Sequence, residues 1–253
     1  MVLHAFGYWV TRYRRTWRGS IVLNVLNPLL FLVGIGAGLG ALVDDNAPAQ
    51  IAGVSYAAFF APGMLAAAAM QNAFLEGAGG VARAAGFGAY RSATPTPLDP
   101  EQLAAGHLLF ITFRVLIASG AFVAVMAAFG LVGGWWALGA LLGATLTGVA
   151  FAAPAAAWAV GVRKLRHIDT VFRFVIMPLY MLSGTFFAVS QLPEWIRPLS
   201  YVLPLWHGVE LCRTLSLGTA TITGSCVHIA YLLTLAVGGF LVARVTYRRR
   251  LHP

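Results

Sequence analysis

Apolar residues run almost unbroken through long stretches of this chain, and polar residues gather in the intervals between them. A run of about 20 apolar residues crosses about 30 Å of hydrocarbon as a helix. Six such runs stand out, at residues 21–43, 56–75, 106–132, 135–162, 171–189 and 222–245. The pattern predicts an all-α, polytopic membrane protein: one transmembrane domain over residues 1–253 with six transmembrane helices. The third run opens on a helix-start signal. Asp99 suits the N-cap, Pro100 the first helical position, and Glu101 the positive end of the helix dipole. Gly34, Gly36, Gly38 and Gly40 put two small-xxx-small pairs in the first run. Packing within one subunit is the preferred reading of them, and a dimer seam stays open. Pro28, Pro154 and Pro178 predict bends in their helices.

Two further stretches are apolar without being able to span. Over residues 1–19, helical spacing gathers Phe6, Trp9, Val10, Tyr13 and Trp17 on one face, with Arg12, Arg14, Arg15 and Arg18 on the rest. That predicts an amphipathic interfacial helix on the inner leaflet, either a plain basic anchor or also a docking surface. Residues 190–218 hold Pro193, Pro198 and Pro204 together with Glu194, Arg197, Glu210 and Arg213. Pro193 can start one short helix and Pro204 a second, with Gly218 ending it. Glu194 with Arg197, and Glu210 with Arg213, sit one turn apart and are expected to pair.

Composition places the chain in a bilayer. It is 59% hydrophobic and 10% charged, with mean hydropathy +0.79, where a soluble domain carries about 25% charged residues. The N-terminus lacks a short apolar core with a small-residue cleavage site, which predicts no cleavable signal peptide. Cys212 and Cys226 are too few for a disulfide framework. The net charge of +9 reads as topology rather than as nucleic-acid binding. With both termini in the cytoplasm, nearly all Arg and Lys outside the spans fall inside, and Arg197 and Arg213 are the exceptions. The loop at 44–48 then lies outside with Asp44 and Asp45. A bacterial cytoplasmic membrane is the expected location.

Candidate chemistry is sparse. The single lysine, Lys164, stands in "GVRKLRH", so no phosphate-cradling P-loop exists here. All eight carboxylates fall at span ends, in loops or in the 190–218 segment, so no midplane proton relay is evident. The six histidines show no metal-ligand spacing. His207 and Glu210, three apart, suit a local hydrogen bond better than a catalytic dyad. Arg114 lies seven residues beyond His107, about 10 Å along a helix. It suits snorkelling or an ion pair with Glu76; contact with an anionic substrate or lipid head group is the other reading.

Several quoted stretches carry a resemblance. They are "NPLLFLVGIGAGLG", "FFAPGMLAAAAMQNAFLEG", "ATPTPLDPEQLAAGHLL" and "MPLYMLSGTFFAVSQLPEWIRPLSYVLPLWHGVELCR". Together with the basic N-terminal helix, they make the chain resemble an ABC-2-type transporter permease of the drug and lipooligosaccharide exporter group. The resemblance implies a permease dimer, from identical or related subunits, joined to two cytoplasmic ATP-binding subunits that hold ATP and Mg. It implies no cofactor in this chain, contact with membrane lipids, and no nucleic-acid partner. It further implies a cytoplasmic coupling loop at residues 77–102, with Arg83, Tyr90 and Arg91 as ATPase contacts. The 190–218 segment becomes a re-entrant exit cap bearing Glu194, Arg197, His207, Glu210 and Arg213, with a plain interfacial loop as the other reading. Export of an amphipathic drug, glycolipid or lipid-linked saccharide follows. A membrane enzyme acting on a lipid or isoprenoid is the alternative, and it would need an acidic or histidine cluster at one face. A non-transporting anchor or sensor is a third.

Overall fold

The computed structural model describes residues 1–15, 17–34, 54–86, 88–90 and 98–251, and the regular structure among them is helical. Gly36, Gly38, Gly40, the loop at 44–48 and Arg91 lie outside the described residues. In chain order the helices are α1 (Val2–Tyr13), α2 (Trp17–Val33), α3 (Tyr56–Gly86), α4 (Pro100–Ala128) and α5 (Trp136–Ala159). Three contiguous stretches form α6: Arg166–Val171, π-helical Phe172–Ile176 and Met177–Leu182. Two short helices follow, α7 (Arg197–Val202) and α8 (Pro204–Ser216), and α9 (Ile222–Leu251) closes the fold.

Four of these, α3, α4, α5 and α9, are long and apolar enough to cross a membrane. Their ends differ from the hydropathy pattern for local reasons. The chain of α3 runs on to Gly86 through a π turn at Leu75–Gly80, because no residue there forbids helical backbone. It stops before Gly88, whose φ of +87° reverses the chain. The first third of the expected 77–102 loop is therefore helical. α4 begins at Pro100, earlier than the apolar run, since Pro100 fits the first turn. Asp99 occupies the N-cap position, but its carboxylate accepts from Gln102 Nε2 at 3.1 Å instead of capping the backbone. α6 ends at Leu182, short of residue 189, at a turn where Gly184 takes φ +73°. Ahead of Pro178 the π-helical turn widens the helix, which accommodates a ring that would otherwise strike the carbonyl four residues back.

At the centre stands α5, rich in Ala and Gly, touching α3, α4, α8 and α9. Small side chains let neighbouring backbones approach, which is how helices gain packing energy where lipid is as apolar as leucine. A methyl on Gly208 of α8 would overlap Thr147, and one on Gly77 would lie 2.8 Å from the Ala152 carbonyl oxygen. The hydroxyls of Thr145 and Thr147 donate back to Leu141 and Gly143 carbonyls at 2.8 Å, so α5 carries polar atoms without leaving them unpaired.

The N-terminal helix α1 lies against the bundle. Ala5, Trp9 and Tyr13 form its buried stripe, and they pack on α4 of the same chain. Trp17 starts α2 and is exposed, so it does not extend that face. An amphipathic stripe suits a protein groove as well as a membrane surface, and spacing alone does not separate the two.

Candidate functional site

Two polar clusters sit in the bundle, and sequence-predicted residues fall in both. The first lies where α1, the end of α3, α4 and α9 meet. Trp9 stacks on His107 with ring centroids 3.9 Å apart and planes 9° from parallel. The His107 Nδ1 is 2.5 Å from the Tyr90 hydroxyl, and that hydroxyl is 3.0 Å from the Tyr247 hydroxyl of α9. Tyr90 is 1% exposed. Its hydroxyl is directed inward, where it ties the 88–90 turn to α4 and α9. Burial first, and then Tyr247, raises the Tyr90 phenol well above its ordinary pKa, which keeps the chain of hydroxyls protonated.

Beside this cluster Arg114 forms an ion pair with Glu76 at 2.5 Å and lies over the Tyr13 ring at 5.1 Å. Arg83, near the end of α3, is exposed. Arg83 and Arg114 line one cavity of about 490 Å³ that also touches α1. A second cavity, about 340 Å³, lies among α2, α3, α4 and α6. Its wall is apolar apart from Gln71, Asn72, Ser119 and Tyr180, and the buried Ser119 hydroxyl has no partner among the described residues.

The second cluster is built on α8. Arg213 is buried and fully engaged. Its Nη2 donates to Gly184 O at 2.7 Å, its Nη1 to Glu210 Oε2 at 3.2 Å, and its Nε to Phe59 O at 3.3 Å. The guanidinium also lies 3.9 Å over the Phe59 ring. Burial lowers its pKa and Glu210 opposes that. One side chain thus ties α8 to the start of α3 and to the turn after α6. The expected Glu194–Arg197 pair is not formed. Arg197 Nε donates to the Leu192 carbonyl at 2.7 Å, and Glu194 is exposed. The reason is that Pro193 does not start a helix. α7 begins only at Arg197, so Glu194 lies in the turn before it and the one-turn spacing does not apply. The second helix does open on Pro204, and it stops ahead of Gly218 at φ +69°.

His207 does not pair with Glu210. Its Nδ1 is 2.9 Å from His228 Nδ1 on α9, and its ring stacks on Tyr231 at 3.9 Å. Burial first, and then His228, lowers the His207 pKa to about 4. Cys212 is a buried free thiol and Cys226 an exposed one. Among the described residues no group of three or more His, Cys, Asp or Glu is placed to hold a metal. Trp9 stands on the apolar face that helical spacing predicts, whereas the roles of His107, Tyr247, His228 and Tyr231 carry no local pattern that names their partners. The signal for His107 and His228 was available, since an ionisable residue in an apolar helix is expected to have a partner.

These features define a multi-pass helical membrane protein with polar clusters at its helix ends. The sequence matches the family described as ABC-2 type transporter over residues 8–217, and the chain belongs to that family. It is similar to Nodulation protein J of Sinorhizobium fredii (strain NBRC 101917 / NGR234), 34% identical over 96% of this chain and 94% of the relative. Nodulation protein J of Rhizobium leguminosarum bv. viciae is 32% identical over 96% and 95%. The Inner membrane transport permease YadH of Escherichia coli (strain K12) is 25% identical over 79% and 77%. The chain is accordingly a permease subunit of an ABC exporter, without an ATPase site or cofactor of its own, and it works with a separate ATP-binding subunit.

Proposed function

We propose that this permease subunit moves an amphipathic substrate, such as a lipid-linked saccharide, glycolipid or hydrophobic drug, out of the cytoplasm. Two ATP-binding subunits and a second permease, identical or related, complete the complex. The chain crosses the inner membrane six times with both termini cytoplasmic. Residues 1–19 lie at the inner surface, 77–102 couple to the ATP-binding subunit, and 190–218 form a re-entrant cap at the exit. The observation that carries this reading is the outer segment. Each of α7 and α8 is too short to span, and buried Arg213 holds α8 against α3 and the turn at Gly184. Backbone that enters a membrane without crossing it is tolerated when it is packed in protein. Exposed Arg83, at the end of a helix continuous with the bundle, supports its role as an ATPase contact; Arg91, outside the described residues, and Tyr90 are assigned to the same coupling segment on the family resemblance. Glu194, Arg197, His207, Glu210 and Arg213 belong to the cap.

Cysteine labelling of intact cells tests the topology. A cysteine replacing Glu194 is expected to react from outside, and one replacing Arg249 is not; outside labelling at residue 249 sinks the six-span arrangement. Coupling is tested by R83E with R91E. Association with the ATP-binding subunit is expected to fall about tenfold or more while membrane insertion persists, and unchanged association together with unchanged transport rejects this contact.

A further inference from the structure

The cavity between α1, the π turn of α3 and α4 has a wall that is rich in donors and poor in acceptors. Three guanidiniums reach it, from Arg12, Arg83 and Arg114, against one carboxylate, Glu76. That carboxylate is already engaged by Arg114 at 2.5 Å. Arg12 and Arg83 are exposed and have no carboxylate partner among the described residues. Trp9 lines the same cavity, and its buried indole N–H has no acceptor among the described residues.

His107 adds one more donor. Each tyrosine hydroxyl has a single proton to give. If Tyr247 donates to Tyr90, and Tyr90 to His107 Nδ1, every proton in the buried chain is used. The opposite direction leaves the Tyr247 proton buried without an acceptor among the described residues. The neutral imidazole therefore carries its proton on Nε2, on the side of cavity-lining Gly80.

Guanidinium forks match the oxygens of phosphate and sulfate, and charge-assisted bonds to such groups are the strong ones. The rings of Trp9, Tyr13 and Phe110 supply apolar wall for whatever the oxyanion is attached to. The geometry points to a binding site for the phosphate- or sulfate-bearing headgroup of an amphipathic molecule. Its position on the cytoplasmic side rests on the export topology proposed above. Arg83 then serves two neighbours, the headgroup and the ATP-binding subunit, so an occupied cavity is felt at the coupling contact.

The test uses the purified full-length chain in phosphatidylcholine nanodiscs, titrated by calorimetry with dihexanoyl phosphatidic acid, neutral dihexanoylglycerol and inorganic phosphate. Saturable binding of the phosphatidic acid is expected, at least about tenfold tighter than the neutral lipid. R12Q with R83Q is expected to lose at least about tenfold in affinity, and R12K with R83K to recover part. Both arginines are exposed, so thermal unfolding of these variants should match the parent. Inorganic phosphate binding as tightly, with the same loss in the glutamine variant, keeps the oxyanion site and assigns it a soluble ligand. Equal binding of the neutral lipid, or affinity indifferent to both arginine changes, overturns the proposal. Binding needs neither ATP nor a partner. Its failure alongside intact transport removes this site alone, and intact binding without ATPase association removes the export reading alone.

Discussion

Arg114 and Arg213 both sit in the helix bundle and both meet a glutamate, yet their surroundings differ in kind. Arg213 spends every donor group on protein: two backbone carbonyls, one carboxylate oxygen and an aromatic face. Arg114 has one carboxylate and a tyrosine ring, and its side chain is 26% exposed at the wall of a cavity. A cation enclosed by carbonyls fixes the backbone around it. A cation facing a cavity keeps capacity for something that arrives. The same residue type thus marks a clamp at one cluster and a receiver at the other.

The largest effect should come from breaking the clamp. Arg213→Met leaves the Gly184 and Phe59 carbonyls and the Glu210 carboxylate without their donor. We expect a loss of about 3–5 kcal/mol in stability, measured by thermal unfolding in detergent. Glu210→Gln added to it should restore a fraction, and a stable single variant would show that the clamp does not hold α8. Next, Tyr90→Phe removes the middle of the hydroxyl chain and strands both His107 Nδ1 and the Tyr247 hydroxyl. The expected cost is about 2 kcal/mol. Tyr247→Phe should cost about half as much, because Tyr90 can still donate to the imidazole. Equal costs would break the assigned direction of the chain.

A pH titration sharpens the comparison further. The His207 pKa lies near 4 in the folded protein and near 6.5 when unfolded. The unfolded state therefore takes up the proton first as pH falls. The contribution of His207 is fully present above about pH 6.5 and is lost as pH drops towards 4, for about 2–3 kcal/mol by pH 4.5 before solvent screening reduces it. His207→Gln should flatten that slope, and an unchanged slope would assign it to other groups. The smallest effect belongs to the open cluster. Arg114→Met should cost about 1 kcal/mol, since Glu76 remains partly hydrated, and Arg114→Met with Glu76→Gln should recover most of it. A loss as large as that of Arg213→Met would mean that Arg114 is also a clamp.

Residue spacing made much of the helical framework legible. Pro100 and Pro204 begin helices as their fixed φ requires, and Gly218 marks a helix end through a backbone angle that other residues resist. The Glu76–Arg114 and Glu210–Arg213 contacts were readable from position or from one-turn spacing. Glu194 and Arg197 have the same spacing and fail, because one-turn neighbours meet only if a helix exists between them. Tyr90 is assigned to a subunit contact by the resemblance alone, while its hydroxyl meets His107 and Tyr247, 17 and 157 positions away. Contacts of that range leave no local pattern. Arg213 bonding to Phe59, 154 positions distant, is hidden for the same reason.

The π turn at Leu75–Gly80 carries a consequence for rotational phase. Such a turn accommodates one surplus residue without interrupting the helix, so everything beyond it is swung by about 100° relative to an uninterrupted α-helix. Arg83 comes after that offset, on the continuation of α3. Deleting any one of Gly77, Gly79 or Gly80 would wind the helix back into step and carry the guanidinium about a quarter-turn or more around the axis. The facing of this arginine is therefore set by a single residue's worth of chain length, a quantity that insertion and deletion change in one step and that substitution cannot.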